Sequence, residues 1–243
     1  GLLITHEDKK IQEIDGTRES VIKSTHPLIT KSSYIAGNKA KEFVENGHGD
    51  DILLVLISGG GSAMVALPID SISLSDKIKF ISTVMHMSVP EREVNVLKKA
   101  LSKIKGGKLA ELATEQTIVN CVLSDERDHQ ISAISSGMTV CNKLIDPIDV
   151  MDTYKLWDVA ENPVKKALID HGCVTGIGCD KNIINQIVGS RDTLMASFVK
   201  RYVEFGFDSV NFIDNMHSCT PEDAANNLIE NFYAYYESAN SGK

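Results

Sequence analysis

The sequence predicts an α/β protein, a layered α-β-α domain with a mostly parallel sheet. Three observations carry this. An unbroken apolar run, Ile52 to Ile57 (ILLVLI), passes directly into a glycine-rich turn, Ser58 to Ser62. A second apolar run, Thr117 to Leu123 (TIVNCVL), ends in Ser124-Asp125. Around them lie segments whose apolar residues recur at helical spacing. A continuous apolar run is the pattern of a central parallel strand covered on both faces, and strands alternating with helices give layers.

Taken in order, the chain opens with two short apolar segments, GLLIT and VIKSTHP, separated by the polar stretch EDKKIQEIDGTRES. His26-Pro27 ends the second, because the residue before a proline is pushed out of the helical region. From Ser32 to Glu45, residues Ile35, Ala36, Ala40, Phe43 and Val44 fall on one helical face. Ser32 or Ser33 can cap that helix, and Gly47 and Gly49 close it. Strand, loop, helix, strand is a crossover unit leading into Ile52. Ser73 to Met87 reads as a helix started by Ser73 or Ser75 and broken by Pro90. Glu91 to Ala113 is the longest helical pattern, with Val94, Leu97, Leu101 and Ile104 on one face and Gly106-Gly107 as an interruption. After Thr117 to Leu123 come the polar loop DERDHQ, then Ile131 to Ser136 and Gly137. Pro163 to Asp170 is a helical pattern, Ile183 to Val188 a strand, and Arg191 to Phe205 a helix closed by Gly206. Asp208 to Ile213 reads as a final strand and Pro221 to Glu237 as a final helix capped by Thr220. The alternation makes the expected sheet Rossmann-like.

At 243 residues the chain can fill one large domain or two small ones. Its formal net charge of −8 argues against a nucleic-acid partner held by a general basic surface. No apolar run reaches the ~20 residues needed to span a bilayer, and Gly1 to Lys10 lacks the pattern of a secretory signal, so no membrane partner is expected and the cytoplasm is the expected compartment. The five cysteines, Cys121, Cys141, Cys173, Cys179 and Cys219, are scattered and form no C-x-x-C, which predicts reduced thiols rather than a disulfide framework or zinc knuckle. The strand-like start at Gly1 reads as a fragment whose earlier residues are missing. No pattern specifies an oligomeric state.

Two features point to chemistry. Gly59, Gly60 and Gly61 let the backbone take positive φ and let a ligand approach main-chain N–H groups, at the strand edge where ligands of open α/β sheets bind. A helix following them would favour an anion. A tight turn without a ligand explains the glycines equally well, since neither G-x-G-x-x-G nor a loop ending in G-K-[ST] is present. The second feature is local positive charge on an acidic chain. Lys98, Lys99, Lys103, Lys105 and Lys108 lie between Asn95 and Ala110 with no acidic residue among them, as a solvated helix face or as an anion site.

Three motifs combine these features: Ser58-Gly59-Gly60-Gly61-Ser62 with Ala63; Asn95-x-x-Lys98-Lys99-x-x-Ser102-x-x-Lys105-Gly-Gly-Lys108-Leu-Ala; and Ser124-Asp125 followed by Ser136-Gly137-x-Thr139. Together they resemble the glycerate 2-kinase family, whose pattern runs SGGGSA, N-x-V-R-K-H-L-S-x-I-K-G-G-R-L-A, SD-x-x-GDD and SGPT. His26-Pro27 and the LSDK segment from Leu74 to Lys77 match as well. The resemblance implies phosphoryl transfer from ATP to D-glycerate, giving 2-phosphoglycerate, with Mg²⁺. It also implies that residues 1–243 are the family's N-terminal kinase-like domain, lacking its first residues and its smaller C-terminal domain.

Phosphoryl transfer is mostly positioning plus charge stabilisation, so it needs N–H donors, cations and a carboxylate. In this reading Lys98 and Lys105 are the catalytic cations and Asp125 is the carboxylate for metal or proton. Ser58, Gly59, Gly60, Gly61, Ser62, Asn95, Ser124, Ser136, Gly137 and Thr139 hold nucleotide or glycerate. The chain departs from the family where SD-x-x-GDD becomes S124-D-E-R-D128-H129-Q130, where SGPT becomes S136-G-M138-T139, and where Lys98 and Ala100 replace Arg and His. Losing two carboxylates weakens a hard-cation site, and Arg to Lys loses bidentate grip. A divergent, non-catalytic member that keeps an anion site as a binding module is the alternative.

Overall fold

The computed structural model describes residues 1–11, 20–125, 130–141, 146–171, 180–207 and 220–240. Two compact units divide the chain, Gly1–Arg191 and Asp192–Lys243.

In the first unit, β1 (Leu2–His6) and β2 (Ser20–Ser24) pair in parallel as a two-stranded sheet. Helix α1 (Lys31–Glu45) begins earlier than Ser32, with Thr30 as its cap: the Thr30 N–H donates to Ser33 Oγ at 3.1 Å, so Ser33 serves as the distal half of a capping box. Gly37 of α1 is required by close approach, since a Cβ there would lie 2.5 Å from the Ala66 carbonyl oxygen.

Among the described residues the main sheet has three parallel strands in the order β3 (Ile52–Ile57), β4 (Thr117–Leu123), β5 (Ile183–Gly189). The parallel arrangement matches the sequence pattern, but two expectations are corrected. The described strands form two separate sheets rather than one. And β3 is not buried on both faces: Leu53, Val55 and Ile57 face the core, whereas Ile52, Leu54 and Leu56 are 69%, 58% and 75% exposed. Strand side chains alternate between faces, so an all-apolar run is buried throughout only where layers cover both. Among the described residues of this unit, one face is covered.

Between β3 and β4 run α2 (Gly61–Met64), α3 (Leu74–Met85), α4 (Glu91–Ala100) and α5 (Lys108–Leu112). Ser73 caps α3 through a full capping box: the Asp76 N–H donates to Ser73 Oγ (3.1 Å) and the Ser73 N–H to Asp76 Oδ2 (2.9 Å). The expected long helix from Glu91 stops at Ala100, well before the Gly-Gly pair. The cause is long-range: the Leu67 carbonyl accepts from the Lys103 N–H (3.0 Å) and Ser102 Oγ (3.2 Å), drawing the chain out of its helical course.

After β4 a short 3₁₀ turn, Ile134–Ser136, leads to α6 (Pro147–Thr153) and α7 (Asn162–His171). One apolar cluster joins α3, α4, α6 and α7 through Phe80, Val84, Leu97, Met151 and Leu168; a second joins α1 and α5 to the sheet through Ala40, Val44, Leu109 and Ile118. Cys121 is a free thiol, but Cys141 is disulfide-bonded, which corrects the expectation of reduced thiols throughout. Sequence spacing carries no sign of it, because a disulfide joins positions that only the fold brings together.

The second unit contains nearly all of α8 (Arg191–Glu204) and α9 (Pro221–Asn240). Gly206, at φ +88°, closes the first, and Thr220 Oγ1 caps the second by accepting from the Asp223 N–H at 3.2 Å. The strand expected over Asp208 to Ile213 lies outside the described residues. No described helix is long and apolar enough to cross a membrane.

Candidate active site

Because β3 and β4 are parallel and adjacent, with Ile57 opposite Val122, their carboxyl ends bring Ser58 and Ser124-Asp125 to the same edge. Each glycine of the loop there has a different side chain against its Cα. A Cβ at Gly59 would lie 1.8 Å from Asp125 Oδ2, at Gly60 3.1 Å from His26 Cδ2, and at Gly61 2.4 Å from Ser135 Oγ. Gly60 also takes φ +81°, which L-residues rarely adopt. The three glycines thus let three segments converge on one loop. Two of the converging residues, His26 and Ser135, escaped the sequence reading as site members, since His26 figured only as a motif match. α2 is four residues long, too short to gather a substantial dipole, so the charge for an anion has to come from side chains.

Lys105 supplies it. The side chain is fully buried, and its Nζ donates to the Ser62 carbonyl (2.6 Å) and to Ser62 Oγ (2.9 Å). Ser62 Oγ lies 2.7 Å from Ser136 Oγ, which donates to Asn95 Oδ1 at 2.6 Å. With Asn95 Nδ2 donating to the Ala133 carbonyl (3.3 Å), one hydrogen-bonded chain runs from Lys105 through Ser62 and Ser136 to Asn95. Beside it, Ser135 Oγ donates to the Ser58 carbonyl at 2.7 Å. Ser135, Ser136 and Gly137 have φ of +50°, +59° and +57°, three consecutive left-handed residues of which two are serines. Each such serine costs on the order of 1–3 kcal/mol, and surrounding bonds hold the turn against that cost. Besides the serine hydroxyls, the Gly106 N–H donates to the Ser136 carbonyl (2.9 Å) and the Gly107 N–H to the Gly137 carbonyl (2.7 Å).

The electrostatics are one-sided. Burial, followed by the charge of Lys98, lowers Lys105 to about 7. Burial lowers Lys99 and Lys108 to about 8. Lys77 is pushed well below the usual lysine range by burial first and then by Lys105, Lys108 and Lys98. Among the described residues none of Lys77, Lys99, Lys105 and Lys108 has an ion-pair partner. A buried ammonium without a counter-charge either sheds its proton or attracts an anion.

The remaining candidates divide. Ser58, Gly59, Gly60, Gly61, Ser62, Asn95, Lys105, Ser136, Gly137 and Asp125 are gathered at the loop. Lys98 stands one step back, its Nζ 2.7 Å from Glu91 Oε1. Ser124 is buried, its N–H donating to the Gly189 carbonyl at 2.8 Å. Thr139 turns into the sheet, where its Oγ1 donates to Asn120 Oδ1 (2.7 Å) and Asn120 Nδ2 donates to Asn185 Oδ1 (2.8 Å). Lys103, two residues from Lys105, instead pairs with the exposed Asp70. Asp125 itself is exposed at the loop. Among the described residues no three His, Cys, Asp or Glu side chains are clustered to hold a metal ion; Asp128 and His129 lie outside them.

Residues 1–169 match the family described as a domain of unknown function, DUF4147. The chain is 28% identical over 230 residues to a glycerate 2-kinase of Picrophilus torridus, an alignment covering 95% of this chain and 49% of that protein. It is 32% identical over 208 residues to a glycerate kinase of Bos taurus, covering 83% of this chain and 38% of the other. A crystal structure of a glycerate kinase from Thermotoga maritima shares the fold with a TM-score of 0.74 at 24% identity, covering 86% of this chain and 49% of that one. The chain spans about half the length, or less, of these relatives.

Proposed function

The chain belongs to the family described as a domain of unknown function, DUF4147, and on that premise we propose that it is the N-terminal-type domain of a kinase transferring the γ-phosphoryl group of ATP to the 2-hydroxyl of D-glycerate. The observation that carries this reading is the fully buried Lys105, bonded to Ser62 of the triple-glycine loop, with the Asp125 carboxylate against the same loop. The kinase names of the relatives support it.

In this mechanism the main-chain N–H groups of the loop take the phosphate oxygens, the glycines make room for Asp125, His26 and Ser135 to close around it, and Lys105 neutralises charge on the transferring group. Lys98 adds to that field. The Ser62, Ser136 and Asn95 chain fixes the direction of the Lys105 ammonium, and Thr139 anchors the strained Ser135 to Gly137 turn to β4. Preorganisation of this kind lowers the barrier because no dipoles have to reorient as charge moves. Asp125 accepts the proton of the glycerate hydroxyl as its oxygen bonds to the γ-phosphorus and the bond to ADP breaks.

Mg²⁺ is the metal this chemistry calls for. An exposed carboxylate beside a phosphate cradle fits it, since Mg²⁺ commonly takes one or two protein carboxylates together with phosphate oxygens and waters. Asp125 is the described carboxylate that would hold it, through one oxygen, leaving the other for the hydroxyl proton. The ion would supply charge neutralisation to the phosphates.

The test is to follow ATP and D-glycerate by phosphorus NMR with the protein expressed from its full gene. A resonance of 2-phosphoglycerate growing with ADP is the expected result. ATP binding without turnover under any divalent metal would contradict it in favour of a binding module.

A further inference from the structure

One fully buried charge takes no part in the mechanism above. Lys77 lies in the second turn of α3, and its Nζ donates to the carbonyl of Leu101 at 2.8 Å, where α4 gives way to the turn carrying Lys105. Lys108, the first residue of α5, holds the same turn with its Nζ 2.9 Å from the Lys99 carbonyl and 2.7 Å from the Ser102 carbonyl. The last carbonyls of a helix lack intrahelical partners and carry partial negative charge, so cations suit them. Water or a glycine cap would serve as well without desolvating an ammonium. The use of buried lysines therefore calls for a reason beyond capping.

That reason lies in what the turn carries. Ser102 accepts from the Ile104 and Lys105 N–H groups, both at 3.3 Å, and Gly106 and Gly107 are tied to Ser136 and Gly137. The residues flanking Lys105 are thus pinned, and at the α4 end Lys77 is one of three holds, with Lys108 and the Leu67 carbonyl. Lys98, from α4 with its partner Glu91, acts on Lys105, whose Nζ also meets the hydroxyl of Ser62, and Lys77 from α3 feels Lys105, Lys108 and Lys98. No described carboxylate pairs with Lys77, Lys105 or Lys108, so the cluster holds its protons only when an anion is bound and sheds them when it is not.

We propose that Lys77 is a positioning residue of the anion site: through the Leu101 carbonyl it holds the turn that presents Lys105 to the glycine loop, and it shares with Lys105 the positive charge that a bound polyphosphate neutralises. This rests on the phosphate-binding reading above. Binding an anion then draws protons onto the lysine cluster, which a merely structural brace would not do.

The experiment is calorimetric titration of the protein expressed from its full gene with tripolyphosphate at pH 8, in two buffers of different ionisation enthalpy, so that affinity and proton uptake are both read. Wild type is expected to bind with net proton uptake. Lys77→Met is expected to weaken binding by about tenfold or more, the scale of losing a hydrogen bond to a charged group, and to take up fewer protons. Lys77→Arg, which keeps charge and donor, should recover part of both, and Lys79→Met, on the exposed face of α3, should match wild type. Wild-type affinity and uptake in Lys77→Met would overturn the inference alone. Failure of wild type to bind would overturn the phosphate reading and the inference with it. If Lys77→Met does not fold, ammonium NMR of wild type decides: tripolyphosphate should shift the Lys77 and Lys105 signals together, and an unmoved Lys77 signal overturns the proposal.

Discussion

Gly60 shows how one residue can carry two constraints. Its φ of +81° strains any L side chain, and His26 stands 3.1 Å from where a Cβ would be. Gly60→Val is therefore expected to abolish nucleotide binding in calorimetry while circular dichroism shows helix content unchanged. Lys105 makes the complementary case through charge. Only its protonated form attracts phosphate, and burial sets it at about 7, so anion affinity should fall as pH rises through that value. Lys105→Ala should lower turnover far more than Lys103→Ala, because Lys103 is spent on the exposed Asp70. The motif spacing picked out Lys105, Asp125 and the glycines as candidates, and the fold brings them to one loop. His26 and Ser135 were not legible as site members, because they reach the loop only when distant segments fold against it.

At the scale of elements, the legible features are those fixed by near neighbours. The start of α3 at Ser73 is one, since cap and partner lie three residues apart. The end of α4 is the opposite case: the Gly-Gly pair was the visible breaker, yet the helix ends at Ala100 because Leu67, more than thirty residues earlier in the chain, captures Ser102 and Lys103. Ser102→Ala removes a fully buried hydroxyl that donates to Leu67 and accepts from two N–H groups. It should destabilise the chain by about 1–3 kcal/mol in urea unfolding and weaken anion binding through the loosened turn. The apolar runs likewise announced parallel strands. What they did not announce is the division into two sheets, nor the exposed face of Ile52, Leu54 and Leu56, because periodicity reports the strand and not the layers around it.

For the whole molecule, the buried lysines tie stability to pH. Lys105 at about 7 and Lys99 and Lys108 at about 8 lie below the ordinary lysine value of 10.5, so between those values the unfolded chain binds more protons than the folded one. Stability of the anion-free chain should therefore rise with pH from about 7 toward 10, the reverse of a protein held by lysine ion pairs. Thermal unfolding at pH 7 and pH 9 checks this, and saturating phosphate should reduce the difference by favouring the charged cluster. The central claim is that this cluster and Asp125 serve phosphoryl transfer to glycerate. It is tested most directly by ATP-dependent turnover of D-glycerate in wild type, Lys105→Met and Asp125→Asn proteins expressed from the full gene. The account predicts measurable wild-type turnover, cut by on the order of a hundredfold or more in Asp125→Asn, the usual scale for general acid–base catalysis, and by a comparable factor in Lys105→Met. Wild-type rates in both variants would contradict it.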